Sequence, residues 1–296
     1  MPIAPLPHWE CGNHCGGCHV DEIDCAQDVT IGSTRFVRLH GADGDTLYLT
    51  KRGWSLLEYV LPHRWYEGGR YFREGSRLPD STGNVFRLDL DGRNGLRELV
   101  IKINRVGQEA YVDADISDGL VGRDEVGRAA FLDPFREFAF TMQLAETPHP
   151  VTGEHLRVKW PLAIYRPAEH LKPYQIGRQS DLFARAVHDL AQAIGDVPDD
   201  HQIHLHEDTR YICVYRWIKG TNAADLVRAG LLGKDECQQL VRHVYNELEI
   251  RGFHILDLKP THIICREHDG EIVRDRQTGL PLFGLVDFEL LTPVIS

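Results

Sequence analysis

The chain has 296 residues, of which 42% are hydrophobic, 26% charged and 9% aromatic, the balance of a folded globular protein. This length allows two ordinary domains, or one two-lobed domain with an appendage. A formal net charge of −11 argues against a broad nucleic-acid surface, so no nucleic-acid partner is expected. No stretch has the length and apolarity of a membrane span or a secretory signal, so we expect no transmembrane segment and a cytoplasmic location.

Four of the seven cysteines fall in the first 25 residues, within "CGNHCGGCHVDEIDC": Cys11, Cys15, Cys18 and Cys25. Four thiolates can close a tetrahedral Zn²⁺ site, and the glycine-rich intervals allow tight turns between ligands. Residues 1–33 are therefore predicted to be a small Cys-rich module with a structural zinc ion. The alternative ligands are His8, His14 and His19.

Two other interpretations of these cysteines stay open. The first three have the spacing of the iron–sulfur motif of radical S-adenosylmethionine enzymes. Those enzymes follow the motif with repeated strand–helix units, whereas this chain continues with a β-rich stretch. The remaining possibility is a tail with free cysteines.

The first half of the remaining chain is predicted to be β-rich. Apolar residues recur in short runs over about 34–66 and 69–104, separated by Gly-Asp turn signals. The second run ends in "ELVIKINR", whose alternation predicts a strand with Lys102 on the face opposite Ile101. "DPFREFAFTMQLAE" predicts a helix capped by Asp133, with Pro134 at its first position.

The second half alternates strands and helices. "LRVKWPLAIYRP" predicts a strand and "SDLFARAVHDLAQAIG" a helix, followed by a buried strand in "RYICVYRW". A short helix is predicted to stop at Gly230, and a longer one to cover about 234–250. A hairpin around "DRQTGLP" and the strand-like "LFGLVDFELL" complete the pattern.

Charged residues fall in an order that suits phosphoryl transfer, which needs a positioned nucleotide, metal ions and a carboxylate that receives a hydroxyl proton. Lys102 lies on a predicted strand and Glu137 on the next helix. Asp257 and Lys259 follow an amphipathic helix, and Asp287 ends an apolar run. An alternative interpretation is that Glu137 is only a solvated helix residue. In that case Glu125 is the candidate for the role of Glu137.

This order resembles the protein-kinase-like superfamily over about residues 70–291. "VIK" at 100–102 is similar to the lysine strand of that family and "REFAFTMQLAETPHP" to the following helix. "YICVYRWIKGTNAADLV" resembles the strand, hinge and short helix that hold adenine. "HILDLKPTHI" resembles the catalytic loop, and "VDFE" the metal-binding Asp-Phe-Gly. The segment "REGSRLPDSTGN" is a poor match to a glycine-rich phosphate loop.

The resemblance implies a role for each matching residue. Lys102 would hold the α- and β-phosphates of ATP and pair with Glu137, and backbone groups of Tyr215, Trp217 and Lys219 would face adenine. Asp257 would orient or deprotonate the acceptor hydroxyl, while Lys259 would neutralise the transferred phosphoryl group. Asp287 would bind Mg²⁺.

Two residues depart from the protein-kinase pattern. His262 stands where the second metal ligand is normally asparagine, which resembles lipopolysaccharide-core sugar kinases; a hydrogen-bonded core histidine is an equally good interpretation. Glu289 replaces the glycine of Asp-Phe-Gly, as in choline and aminoglycoside kinases. Only seven residues follow Glu289, so the larger lobe is expected to be truncated.

The sequence therefore predicts an α+β, protein-kinase-like two-lobed fold, with an N-lobe-like region over 34–214 and a hinge and truncated C-lobe over 215–296. The expected function is ATP- and Mg²⁺-dependent transfer of the γ-phosphate to a hydroxyl of a small molecule, sugar or protein. A protein partner is a possible source of the rest of the substrate site. The alternatives are a nucleotide-binding or scaffolding pseudokinase and an adenylyl transferase on the same fold.

Overall fold

The computed structural model describes residues 24–31, 34–41, 43–78, 83–93, 95–112, 129–198, 202–276 and 278–294, with the backbone alone for 24–27. The strands are β1 (Asp24–Ile31), β2 (Thr34–His40), β3 (Thr46–Leu49), β4 (Ser76–Arg77), β5 (Val85–Leu90), β6 (Arg97–Ile103), β7 (Pro161–Arg166), β8 (Ile212–Arg216), β9 (Thr221–Asn222), β10 (Phe253–Ile255), β11 (Ile263–Cys265), β12 (Glu267–His268), β13 (Glu271–Ile272), β14 (Phe283–Leu285) and β15 (Leu291–Pro293).

The α-helices are α1 (Lys51–Ser55), α2 (Leu57–Val60), α3 (Arg70–Arg73), α4 (Pro134–Glu146), α5 (Pro173–Ile176), α6 (Ser180–Ile194), α7 (Ala223–Arg228) and α8 (Lys234–Ile250). Short 3₁₀ turns occupy Pro62–Arg64, Glu67–Gly69 and Pro260–His262. The helices predicted from periodicity are confirmed, because α4, α6 and α8 each bury one apolar stripe.

An eight-stranded antiparallel sheet, in the order β1-β2-β3-β7-β8-β6-β5-β4, forms the first region of the molecule. One face packs against α4 and α6, where the Phe135 ring lies 4.8 Å from Tyr48 and 5.9 Å from Phe36. Strand β6 lies between β5 and β8, so Lys102 sits opposite Cys213 in the interior of the sheet. The mixed α and β architecture agrees with the predicted fold class.

The other face of the sheet is covered by residues 50–73, where the prediction of β structure was wrong. The segment "KRGWSLLEYV" forms α1 and α2 because Thr50 caps the first turn, its Oγ1 accepting from Gly53 N at 3.1 Å. Gly53 lets α1 lie directly on β7, since a Cβ there would come 1.8 Å from Leu162 O. Trp65, Tyr59 and Val60 are then buried against the sheet.

The second region is built from α7, α8 and short strands around a separate apolar core. Leu240, Val244 and Leu248 of α8 pack with Phe253, Ile263 and Leu285. The end of α4 joins this core through Leu144, so one helix links the two regions. The run "LFGLVDFELL" is not one strand, because it breaks between β14 and β15 at Asp287, whose φ is 65°.

Several predictions fall outside this description. Cys11, Cys15 and Cys18 lie outside the described residues, as does Glu125, and only the backbone of Cys25 is described, in β1. The boundaries at 33/34 and 214/215 stay predictions. Within the described ranges, no helix has both the length and the apolarity needed to cross a bilayer.

Candidate active site

The two regions meet at Lys102, which reaches from β6 to the segment after β14. Its Nζ donates to Asp287 Oδ1 at 2.5 Å, although 185 residues separate the two in sequence. The same Nζ lies 3.3 Å from Glu289 Oε2 and 4.0 Å from Glu137 Oε1. The structure therefore brings Lys102, Glu137 and Asp287 together, with Asp287, not the expected Glu137, as the carboxylate nearest to Lys102.

Glu137 is fully buried and pairs with more than one cationic side chain. Asp133 caps the helix that carries it, accepting from the backbone N–H of Phe135 and Arg136. Glu137 Oε1 accepts from Tyr215 Oη at 2.6 Å and from Lys159 Nζ at 3.1 Å. Glu137 is consequently not a solvated helix residue.

Glu289, the departure from Asp-Phe-Gly, lies next to this cluster at 2% exposure. Its Oε2 accepts from Arg105 Nε at 2.9 Å and also faces Lys102. Its Oε1 is buried and has no hydrogen-bond partner among the described residues. Because an unmet buried acceptor is costly, this oxygen marks a position that suits a further donor or cation.

Burial and ion pairing set the protonation states of the cluster. Burial alone would lower the pKa of Lys102, but Asp287, Glu289 and Glu137 outweigh it and hold that pKa above its ordinary value. Desolvation opposes ionisation of Asp287, yet Lys102 and His262 hold its pKa well below the usual range. Burial raises the pKa of Glu289 and lowers that of Lys159.

The predicted catalytic loop runs from β10 to β11 and is tied to the Asp287 segment. Val286 N donates to His262 O at 3.0 Å. His262 Nε2 lies 3.6 Å from Asp287 Oδ2, and Lys259 Nζ donates to Asp257 Oδ2 at 3.2 Å. Of the loop's residues, His262 thus lies beside Asp287. The positive φ of Asp287 is a local conformation typical of functional sites.

The stretch 215–219 begins in the last residues of β8 and connects the two regions. Tyr215 is fully buried and points to Glu137, while Trp217 N donates to Glu98 O at 3.0 Å. Lys219 is exposed, and its Nζ lies 3.2 Å from Glu98 Oε2. The Tyr215 and Lys219 side chains are therefore engaged in protein contacts, and their predicted role in nucleotide binding rests on the backbone of this stretch.

Two basic residues at the site were missed by the sequence analysis, the buried Lys159 and the half-buried Arg105. Lys159 precedes β7, and its Nζ lies 3.9 Å from the Tyr215 ring centroid. The signal was a single lysine in the apolar run "RVKWPLAIY", since an unpaired charge is costly in a buried segment. Arg105 closes "VIKINR", just after the predicted lysine strand.

The donors at the site suit a Mg²⁺ ion that is bound jointly by the protein and nucleotide phosphates, rather than an ion enclosed by protein ligands alone. No group of three or more His, Cys, Asp or Glu side chains in the described ranges is arranged to hold a metal. Asp287 and His262 supply two donors, and the Asp287 side chain retains 30% exposure. Mg²⁺ usually takes one or two carboxylates and completes its octahedron with waters and phosphate oxygens.

No family model and no curated protein matches the chain. Solved structures that resemble it include the Cydia pomonella granulovirus kinase PK-1, at 10% identity and a TM-score of 0.31, covering 76% of this chain and 54% of that one. The structure of WbdD matches at 13% identity and a TM-score of 0.32, covering 76% of this chain and 34% of that one. Rad53 1–466 in complex with AMP-PNP has 14% identity and 0.32, covering 91% and 66%.

The chain thus spans between a third and two thirds of the length of these structures. TM-scores near 0.3 are too low to establish a shared fold. The function is therefore argued from the geometry of the site.

Proposed function

We propose that the protein is an ATP- and Mg²⁺-dependent phosphotransferase that moves the γ-phosphoryl group to a hydroxyl. The observation that carries the proposal is the contact of Lys102 Nζ with Asp287, at 2.5 Å, and with Glu137, at 4.0 Å. These residues come from a strand, a loop and a helix that are distant in sequence. Phosphoryl transfer needs a lysine that binds the phosphates, a carboxylate that positions this lysine and a second carboxylate that binds the metal.

Each residue has a defined task in this proposal. Lys102 binds the α- and β-phosphates, with Glu137 fixing its position, and the 215–219 backbone faces adenine. Asp257 orients the acceptor hydroxyl and takes its proton as the new P–O bond forms and the bond to ADP breaks. Lys259, 3.2 Å from Asp257, is placed to offset charge on the transferred group.

Asp287 and His262 are the residues that would hold the metal. Mg²⁺ supplies neutralisation of the phosphate charge when it is bound. Burial lowers the pKa of His262, which keeps the ring neutral near pH 7 and therefore able to act as a ligand. Lys102 contacts Asp287 directly, so nucleotide phosphates would compete with Asp287 for this ammonium group.

The first test is calorimetric titration of ATP with and without Mg²⁺, in wild type and Asp287→Asn. Mg²⁺-dependent binding that the variant loses, at least about tenfold, is the expected result. Asp269→Asn, an exposed aspartate in the β12–β13 turn, makes the same change of charge outside the site and should bind normally. Failure of folded wild-type protein to bind ATP would contradict the proposal.

A nucleotide-binding protein without transfer is the second candidate. The observation that favours it is the engagement of Lys102 by both Asp287 and Glu289, which stabilises the site in a closed, self-paired state. Turnover separates the two candidates: wild type should release phosphate from ATP slowly, and Asp257→Ala should abolish this while still binding ATP. Mass spectrometry of any modified product distinguishes phosphate from adenylate by the mass added.

A further inference from the structure

Lys102, Lys159, Arg105 and the carboxylates around them form the Lys102 cluster. Another group of charged side chains lies outside this cluster and lines a cavity of about 890 Å³. Its walls come from residues 149–157, the second half of α8 and residues 266–283, with Lys219 and Gly220 at one side. Lys102, Asp257 and Asp287 are not among the residues that line it. Its volume lies in the range of small-molecule sites.

Four basic and four acidic side chains line the cavity, and some of them pair with one another. Arg251 Nη1 donates to Glu247 Oε2 at 2.6 Å, and His149 Nε2 lies 3.8 Å from the same carboxylate. Glu267 Oε2 accepts from Thr221 at 2.5 Å. Two of the four acidic side chains, Glu247 and Glu267, are thus engaged by Arg251 and Thr221.

Arg157 and Arg266 also line the cavity. Arg157 Nη2 donates to the backbone O of Lys219 at 3.2 Å, and within the described ranges neither arginine forms an ion pair with a carboxylate. Burial, and then the charge of Arg266, lower the pKa of Arg157, consistent with two guanidinium groups held near each other. Two arginines that line one cavity without a carboxylate partner in the described ranges are unexpected in a chain of net charge −11.

Part of the cavity wall is apolar. Leu156, Leu280, Leu282 and Phe283 line it, and the Phe283 ring meets His243 edge-on at 5.9 Å between centroids. Small-molecule sites combine apolar surface with a few convergent polar groups. The cavity offers basic groups for an anion and a partly apolar surface for the rest of a ligand.

We propose that this cavity binds an organic anion, with a phosphate or carboxylate group between Arg157 and Arg266 and an apolar part against Phe283. The planar forks of guanidinium groups match the oxygens of phosphate and carboxylate in a bidentate manner. Lys219 and Gly220, at the start of the second region, form one side of the site.

The site is tested by ligand-observed NMR titration of the full chain with phenyl phosphate, inorganic phosphate and benzoate at constant ionic strength. Phenyl phosphate should bind saturably and more tightly than inorganic phosphate, because its ring contacts the apolar wall. A comparison of phenyl phosphate with benzoate identifies which anionic group the arginines prefer. Absence of saturable binding by both aromatic anions overturns the proposal.

Variants localise the binding. Arg157→Gln and Arg266→Gln should each weaken phenyl phosphate by about tenfold, the effect of losing one charged hydrogen-bonding group. The matched control is Arg242→Gln, which removes the same charge from the exposed face of α8 outside the cavity and should change nothing. Equal losses in all three variants would indicate general electrostatics and overturn the site.

Competition with ATP separates this site from the candidate active site. Phenyl phosphate that binds in the cavity should remain bound when saturating ATP is added. Displacement by ATP, together with full binding in the Arg157→Gln and Arg266→Gln variants, would assign the anion to the nucleotide site and overturn the proposal. Circular dichroism melts of each variant confirm that the protein is folded.

Discussion

The Lys102 cluster and the two arginines that line the cavity both present charged side chains, but those of the cluster are mostly buried and the two arginines are exposed. In the cluster, Lys102, Lys159 and Arg105 are balanced by Glu137, Asp287 and Glu289. At the cavity, Arg157 and Arg266 are exposed and have no carboxylate partner in the described ranges. Burial makes an unpaired charge very costly, whereas water tolerates it. Pairing with carboxylates is therefore obligatory in the buried Lys102 cluster, whereas the exposed Arg157 and Arg266 are tolerated without it.

Breaking the pairing in the buried cluster should have the largest effect. Glu137→Ala leaves Lys102 and Lys159 without a shared carboxylate and leaves Tyr215 Oη without its acceptor. We expect a loss of about 3–5 kcal/mol in the free energy of unfolding, measured by urea denaturation. Glu146→Ala, at an exposed position on the same helix, is the control and should cost little. Equal stability of both variants would contradict a buried ionic cluster.

Removing one of the two lysines on Glu137 should cost less. Lys159→Met keeps the length of the side chain, and Glu137 retains Lys102 at 4.0 Å and Tyr215 Oη at 2.6 Å. Because burial already lowers the pKa of Lys159, its ammonium form is less favourable there than in water. We expect a loss of about 1–3 kcal/mol in the same measurement. A loss as large as that of Glu137→Ala would mean that Lys159, and not Lys102, is the main partner of Glu137.

The contrast between the regions also explains which parts were predictable from sequence. Helices α4, α6 and α8 carry a strong period of 3.6, and β6 alternates, so local pattern was sufficient for them. Residues 51–60 were misassigned because their aromatic and β-branched residues are typical of strands, while the cap at Thr50 and the close approach of Gly53 to β7 decide the structure. Tertiary contacts outweighed propensity there.

Residues of the candidate site were predictable only where they belong to a recognisable sequence motif. Lys102, Glu137 and Asp287 were found from their order along the chain. The contribution of Lys159 was not, because nothing in "RVKWPLAIY" indicates that its lysine and Tyr215 approach the same carboxylate. Arg157 and Arg266 are 109 residues apart, and only the packing of residues 157–159 beside β14 brings both to one cavity.

Protonation offers a finer test of the buried region, through His262. Burial lowers its pKa from 6.5 even though Asp287 and Asp257 act in the opposite sense, with Lys259 and Lys102 adding to the effect of burial. The unfolded chain therefore binds a proton that the folded protein resists, so the stability contributed by neutral His262 is present above about pH 6.5 and falls as pH decreases. Thermal melts between about pH 7 and pH 5 should show a shallower decline for His262→Asn than for wild type.

The control for this comparison is His268→Asn, which removes an exposed histidine from the β12–β13 turn. Its pH dependence should match that of wild type. A decline in His262→Asn as steep as in wild type would mean that other groups dominate the acid sensitivity. It would also remove the argument that burial keeps the ring neutral and available as a ligand.

The smallest effect on stability is expected at the cavity. Arg157→Gln removes an exposed charge that has no carboxylate partner in the described ranges and leaves the side-chain stem to pack against Gly284. We expect the free energy of unfolding to change by less than about 0.5 kcal/mol, although phenyl phosphate should bind about tenfold more weakly. A change of the size expected for Glu137→Ala would show that Arg157 is part of the structural framework. Arginines that contribute almost nothing to folding, yet stand together in a lined cavity, are better explained by a ligand than by stability.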